Sequence, residues 1–208
     1  MSGVGPYTHA MASAKLEVKP AAGNFDDVAA VLKPGGPKGD ACWCLSYRDG
    51  SSVANSERRG RMQGLCAEEP GPGVLLYVDD EVAGWCSVAP RSTYRRLMNS
   101  RTIPHVDDRD PWAIVCFVIR APFRRQGLMR PLLDGAVDWA RENGAKVVEG
   151  YPVQLDGDRI SVGGAFVGTT ELFEQAGFKR VLETTAHSDH KVRWIMRREL
   201  RARRTGEG

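Results

Sequence analysis

The stretch that decides the fold reads AIVCFVI at residues 113–119, RAPFRRQGLM at residues 120–129 and RPLLDGAVDWAREN at residues 130–143. Seven consecutive apolar residues are typical of a strand that is buried on both faces in the middle of a sheet. From Leu128 onward the apolar residues recur at helical spacing, and Pro131, which has no N–H, fits the first turn of a helix. The stretch therefore predicts a central strand, a tight turn and an amphipathic helix.

The turn between this strand and this helix has the properties of an anion site. The first N–H groups of a helix have no internal partners, and the helix dipole is positive at that end. Gly127 permits close approach of a ligand, and Arg120, Arg124 and Arg125 add positive charge. Taken alone, the turn fits an anion site and a purely structural turn equally well. Neither a Gly-Lys-Ser/Thr motif nor a Gly-x-Gly-x-x-Gly motif is present, which disfavours nucleoside triphosphates and dinucleotides.

The periodicity of the remaining chain alternates between strand and helix. Strands are predicted at residues 16–19, 74–78, 82–89, 147–153, 179–186 and 191–198. Helices are predicted after Asn24, after Asn55, and after Thr169 or Thr170. Residues 91–111 form a long polar segment, which is either a long loop or a loop with a short helix near residues 93–98. This alternation predicts an α/β fold with a mixed central sheet of about six or seven strands and helices on both faces.

Length and composition favour one soluble domain. We expect a domain at residues 15–200, a disordered extension at residues 1–14 and a basic tail at residues 201–208. No stretch approaches the ~20 apolar residues of a membrane span, and the N-terminus lacks an apolar signal core. The five cysteines are an odd number, which favours reduced thiols and a cytosolic location. Cys42 and Cys44 flank a single residue, which disfavours a zinc site.

Residues 74–186 resemble the acetyl-CoA-dependent N-acetyltransferases related to yeast Gcn5. The resemblance rests on the strand, turn and helix above, on the strand at Val147, and on ELFEQAGF at residues 171–178. The family pattern Arg/Gln-x-x-Gly-x-Gly/Ala is matched at Arg124 and Gly127, whereas Met129 stands where the family has a small residue. The resemblance implies the acyl-CoA N-acyltransferase fold.

The resemblance also implies the ligands of the site, namely acetyl-CoA as the acyl donor, an unidentified amine as the acceptor, and no metal. The diphosphate would lie on the amides of the turn. The pantetheine arm would bond the end of the central strand like an added strand, in a slot opened where the strand at residues 147–153 diverges. The implied cofactor-binding residues are Phe117, Val118, Ile119, Arg124, Arg125, Gln126, Gly127, Leu128, Met129 and Phe173.

The catalytic groups of the family do not carry over to this chain. The family often protonates the departing thiolate with a tyrosine in its short late helix, where this chain has Phe173, and the central strand holds no carboxylate or histidine that could act as base. Glu149 and Tyr151 alternate on one face of the neighbouring strand, so we predict them as base and acid. His105 and bulk water are the alternatives for the base.

Two further features are open to a functional interpretation. Asp107, Asp108 and Asp110 fit either a solvated acidic loop or a surface that attracts a cationic acceptor. Cys116, in the buried strand, fits packing better than an acyl-carrying nucleophile, because no histidine lies nearby in sequence to activate it.

Other function classes remain open on the sequence alone. A non-catalytic acyl-CoA sensor would keep Gly127 and its amides but lack an acid and a base. A nucleic-acid-binding module would depend on the basic run at residues 197–204, but the net charge of +3 and the absence of a recognised motif disfavour it. A phosphoryl-transfer enzyme would need Mg²⁺ ligands near the turn, and none is visible. The sequence leaves a homodimer open.

Overall fold

The structure, a computed structural model, describes residues 14–33, 43–48, 53–161 and 163–201. Nearly all of the predicted N-terminal extension, the tail after Arg201, and Cys42 lie outside the described residues. No helix among the described residues is long and apolar enough to cross a membrane.

The described residues form one mixed sheet of seven strands, which confirms the predicted α/β class. The strands are β1 (Leu16–Pro20), β2 (Gly73–Val78), β3 (Glu81–Pro90), β4 (Trp112–Ile119), β5 (Val147–Gly150), β6 (Lys179–Ser188) and β7 (Lys191–Glu199). Their order is β1-β2-β3-β4-β5-β7-β6, and only the β4–β5 pair is parallel. The apolar run predicted as the central strand is β4, at the middle of the sheet, where both of its faces are covered.

Helices pack on both faces of this sheet. They are α1 (Phe25–Leu32), α2 (Asn55–Cys66), α3 (Arg95–Met98), α4 (Met129–Glu142) and α5 (Thr170–Gln175). One core cluster joins α1 and α2 to one face, and a second joins α4 and α5 to the other. Because neighbouring residues of a strand point to opposite faces, β4 contributes Cys116 to the first cluster and Phe117 to the second.

The polar segment between β3 and β4 is ordered by hydrogen bonds between its two ends. It begins with a 3₁₀ turn at Arg91–Thr93 and continues into α3, so of the two alternatives the loop with a short helix is present. The Arg91 amide donates to the Pro111 carbonyl at 2.8 Å, and the Ser92 amide and hydroxyl donate to the Asp110 carboxylate at 2.9 and 2.6 Å. The segment is therefore a closed loop whose ends meet beside the start of β4.

Candidate functional site

The sheet opens between β4 and β5. The two strands pair only from Trp112 opposite Val148 to Ile114 opposite Gly150, and β4 then continues to Ile119 without a partner on that side. The predicted strand at residues 147–153 was too long. It ends at Gly150, and Val153 forms only isolated bridges with Thr169 and Arg193, because Pro152 interrupts the ladder without an N–H to donate. The divergence that the resemblance implied is present.

The open edge of β4 presents backbone groups to this gap. The Arg120 amide donates to the Ala83 carbonyl of the neighbouring β3 side at 2.9 Å. Since amides alternate along a strand, those of Phe117 and Ile119 point the other way, into the gap. The Ile119 carbonyl accepts a hydrogen bond there from Arg124 Nε at 2.9 Å. A ligand lying along this edge therefore meets two N–H donors and an arginine that is already oriented.

The turn after β4 leaves a row of amides without partners. Within the described residues, none of the five N–H groups of residues 125–129 donates to a protein acceptor. Arg125 (φ 63°) and Gly127 (φ 75°) both adopt left-handed backbone, which curls the turn ahead of α4. α4 begins at Met129, with Pro131 in its first turn as predicted. Free amides, a helix N-terminus and the exposed Arg124 and Arg125 together form a cradle for a multiply charged anion.

A cavity of about 590 Å³ joins the open edge to the turn. Eight of the ten residues predicted to bind the cofactor line it, and they are Phe117, Val118, Ile119, Arg124, Arg125, Gly127, Leu128 and Met129. Gln126 is not among the lining residues, and its side chain donates instead to the Pro122 carbonyl at 3.0 Å. Because Met129 forms part of the wall, the departure from the family pattern leaves the cavity open.

Six further residues that were not predicted to bind the cofactor also line the cavity. Cys116 was interpreted as packing, Phe123 lies in the turn after the central strand, and Ser46 lies outside the predicted elements. Gly163, Ala165 and Phe166 lie between the strand predicted at residues 147–153 and the helix predicted after Thr169, where no element was predicted. The last three reach the cavity through the loop after β5, which carries a 3₁₀ turn at Ala165–Val167. No local pattern could have assigned them, because their position depends on where that loop folds back.

Phe173 lies in the core and not in the cavity wall. Its side chain is fully buried, and its ring makes edge-to-face contacts with Phe117 and Phe178, at centroid distances of 6.1 and 4.9 Å. A Cβ at Gly150 would lie 2.1 Å from its ring, so the glycine at the end of β5 is what admits the phenylalanine. The role of Phe173 that these contacts support is packing behind β4.

Glu149 and Tyr151 are the centre of a buried polar network. Glu149 is fully buried, its Oε1 accepts from Arg91 and from the Tyr151 hydroxyl, and its Oε2 accepts from Arg197, all at 2.6 Å. Arg197 also donates to Asp107 at 2.7 Å. Burial, followed by the charge of Glu149, raises the pKa of Tyr151 well above its usual range. Neither Glu149 nor Tyr151 lines the cavity, so their catalytic roles stay a prediction.

The other candidate residues lie away from the cavity as well. His105 is exposed and is not a lining residue. Asp107 pairs with Arg109 and Arg197, and the pKa of its carboxyl is held well below the usual range by hydrogen bonds from these two arginines. Within the acidic segment, Asp107 is thus engaged in ion pairs on the protein itself, and Asp110 accepts hydrogen bonds from Ser92. Among the described residues, no group of three or more His, Cys, Asp or Glu side chains is placed to hold a metal ion.

Comparison with known proteins gives a family and a fold. The family model for the acetyltransferase (GNAT) family matches residues 41–163, whereas curated protein sequences give no match. An acetyltransferase of the GNAT family from Streptococcus pneumoniae is similar in structure, with 16% identity, a TM-score of 0.52 and coverage of 89% of this chain and 99% of that chain. An uncharacterized protein from Bacillus halodurans is also similar in structure, with 14% identity, a TM-score of 0.55 and coverage of 91% of this chain and 86% of that chain.

A third solved structure, the NatC complex bound to Gag peptide and CoA, has 11% identity and a TM-score of 0.50, with 90% of this chain and 99% of that chain covered. At such identities the likeness shows the fold alone, which is the mixed sheet of the acyl-CoA N-acyltransferases. The family rests on the sequence match, which spans more than half of the 208 residues. This chain belongs to the acetyltransferase (GNAT) family.

Proposed function

We propose that the protein transfers an acetyl or short acyl group from acetyl-CoA to an amine. The observation that carries the proposal is the row of five unpartnered amides at residues 125–129, which opens into a cavity along the unpaired edge of β4. A diphosphate fits the amides and the positive end of α4, and the amide groups of pantetheine fit the edge of a strand. The CoA bound in the structurally similar NatC complex supports the same donor.

In the proposed reaction a neutral amine attacks the thioester carbonyl directly, and the CoA thiolate leaves. Holding the two reactants where β4 and β5 part would supply much of the rate by positioning alone. Glu149 and Tyr151 remain our candidates for base and acid, with water as the alternative for the base. The geometry favours water, because both oxygens of Glu149 are held by arginines and neither side chain reaches the cavity wall.

The donor is tested by thermal unfolding with acetyl-CoA, CoA and ATP. A ligand at about 100 times its Kd stabilises the folded state by about 2.7 kcal/mol. For a chain of this size that corresponds to a rise in Tm of about 5–11 °C. We expect the rise with acetyl-CoA and CoA and a much smaller one with ATP. Equal responses to ATP and CoA would contradict the proposal.

Gly127 provides a matched pair of variants for this assay. A Cβ at this position has no neighbour within 4 Å, so Gly127→Ala and Gly127→Glu share the strain of a left-handed backbone and differ in bulk and charge. We expect Gly127→Ala to lower the basal Tm but keep the response to CoA, and Gly127→Glu to lose the response because a carboxylate lies among the amides. A retained response in Gly127→Glu would refute the assigned cradle.

A non-catalytic acyl-CoA sensor is the second candidate, and Phe173 is the observation that favours it. The position where the family often has a tyrosine is occupied by a ring that has no hydroxyl and is packed into the core. Release of CoA thiol from acetyl-CoA in the presence of a panel of amines separates the two functions. Binding without amine-dependent release would support the sensor.

We also propose a cytosolic location. The four described cysteines, Cys44, Cys66, Cys86 and Cys116, are thiols in the structure, which fits a reducing compartment.

A further inference from the structure

Arg193, on β7, is a buried cation whose hydrogen-bond acceptors are uncharged. Only 4% of its surface is exposed. Its Nε donates to the Tyr151 carbonyl at 2.8 Å, and its Nη1 donates to the Tyr47 hydroxyl. Its Nη2 is buried and has no hydrogen-bond partner among the described residues. Because an arginine keeps its charge even when it is buried, Arg193 holds a positive charge and free N–H donors inside the protein.

The buried charges of the described residues do not balance. They belong to four arginines and one glutamate, namely Arg48, Arg91, Arg193, Arg197 and Glu149. Glu149 pairs with Arg91 and Arg197. The exposed Asp107 pairs with Arg197 as well, whereas Arg193 forms no ion pair within the described ranges. Burying a charge without a partner is costly, so this position favours a ligand that supplies the missing negative charge.

The guanidinium of Arg193 lies where β4 and β5 part. β5 ends at Gly150, where its pairing with β4 also ends, and Tyr151 is the next residue. The Trp194 amide donates to the Pro152 carbonyl at 3.0 Å, so this carbonyl faces β7. Since carbonyls alternate along a strand, the Tyr151 carbonyl faces the opposite side, toward β4 and the gap. Because the Nε of Arg193 is bonded to this carbonyl, its guanidinium lies at the gap.

Tyr47 packs over Arg193 next to the cavity. The centre of its ring lies 5.7 Å from the Arg193 Cζ, and its side chain is half-buried. The residue before it, Ser46, lines the cavity. Arg193 is not a lining residue, so a CoA bound in the cavity would leave its free N–H groups unused. These groups are therefore available to the second substrate, which must meet the thioester at the same gap.

We propose that Arg193 binds a carboxylate of the acceptor, so that the acceptor amine belongs to an amino acid. The inference rests on the proposed function, which it deepens by naming the class of acceptor. A carboxylate matches the planar fork of a guanidinium, and its charge-assisted hydrogen bonds are stronger than the one from the Tyr47 hydroxyl that it displaces.

The position of Arg193 also limits the length of this acceptor. Paired strands lie about 5 Å apart, so a guanidinium at the gap lies within about 10 Å of a thioester on the β4 edge. The hydrogen bond to the carboxylate and the approach of the amine to the thioester each take about 3 Å. The remaining span suits an amine and a carboxylate that are joined through about one to three carbon atoms.

The reaction itself stays the proposed acyl transfer. The amine nitrogen bonds to the acyl carbon, the C–S bond breaks, and its electron pair leaves with the CoA thiolate. The proton that the nitrogen loses passes to water, and solvent returns a proton to the thiolate. Arg193 takes no part in these steps. It holds the carboxylate so that the amine lies against the thioester.

The test compares each α-amino acid, and β-alanine, with its own carboxamide as the acceptor, by the release of CoA thiol from acetyl-CoA. For an accepted amino acid we expect kcat/KM to exceed that of its carboxamide by about 30-fold or more. In Arg193→Met this advantage should be lost, with kcat/KM for the carboxamide changed by less than about threefold. Arg193→Lys keeps the charge without the fork, so it should lose less, and it replaces Arg193→Met if the methionine variant does not fold.

Arg198→Met is the matched control for these variants. Arg198 lies on the same strand, its side chain points to the opposite face, and it donates to the Ala176 carbonyl at 2.8 Å. Its replacement should leave the preference for the carboxylate unchanged.

The outcomes separate this inference from the proposed function. A wild type that uses carboxamides as readily as amino acids refutes the inference, whichever variants fold. A preference for the carboxylate that survives in Arg193→Met refutes it as well, because other residues then recognise the acceptor. In both cases the release of thiol still supports acyl transfer. Absence of release with every amine defeats the proposed transfer, and the inference with it, and a normal rise in Tm with acetyl-CoA then favours the sensor.

Discussion

Replacing Glu149 with glutamine would show whether this residue stabilises the fold or takes part in the reaction. Its two carboxylate oxygens are the counter-charges of Arg91 and Arg197, and the three side chains have exposed fractions of 0%, 1% and 5%. Glutamine keeps the shape and one acceptor oxygen but removes the negative charge. The two guanidinium groups would then remain buried without that counter-charge, in surroundings where a charge is poorly solvated.

The expected loss of stability follows from the burial of this network. Removing one partner of a buried ion pair costs about 3–5 kcal/mol. For a domain of this size, that corresponds to a fall in Tm of about 6–20 °C. Tyr151→Phe removes only the hydroxyl that donates to Glu149 at 2.6 Å, so we expect a fall of about 2–4 °C, from about 1 kcal/mol.

The measurement is thermal unfolding by circular dichroism, with Asp134→Asn as the control. Asp134 pairs with Arg130 at 2.7 Å on the surface of α4, where both side chains are about 40% exposed. Removing such a pair should change Tm by no more than about 2 °C. If Glu149→Gln also stays within about 2 °C of the wild type, the structural interpretation is refuted. A simultaneous fall in kcat, measured well below both melting temperatures, would then favour catalysis.

Two other perturbations test the packing and the ion pairs. Gly150→Ala places a Cβ 2.1 Å from the Phe173 ring, so we expect the free energy of unfolding, measured by chemical denaturation, to fall by about 1–3 kcal/mol. Adding Phe173→Leu should restore part of this loss. An unchanged free energy of unfolding in Gly150→Ala would contradict the packing at the end of β5. Asp107→Asn tests pH dependence. Arg109 and Arg197 hold the folded-state pKa of Asp107 below its usual value, so its contribution to stability is present above about pH 4 and is lost as the pH falls. The Tm difference between wild type and Asp107→Asn should therefore shrink from pH 6 to pH 3, and a constant difference would refute the assignment.

The sequence was most informative where structure depends on neighbouring residues. The central strand, the turn at Gly127 and the start of α4 near Pro131 could all be predicted, because apolar periodicity, a glycine and a proline act within one or two helical turns. The same local signals indicated the free amides of the turn. The strand predicted at residues 147–153 was too long because its bounds ignored Pro152, which has no N–H to donate to the ladder.

What the sequence by itself determined was the strand, turn and helix of the proposed anion cradle, together with the family. Only the tertiary structure decided that β4 and β5 part after Ile114, that Glu149 is enclosed by arginines, and that residues of the loop after β5 line the cavity. Each of these depends on contacts between residues far apart in the chain. The periodicity of the sequence indicates which face of an element is apolar. Which other element packs on that face depends on the packing of the whole domain.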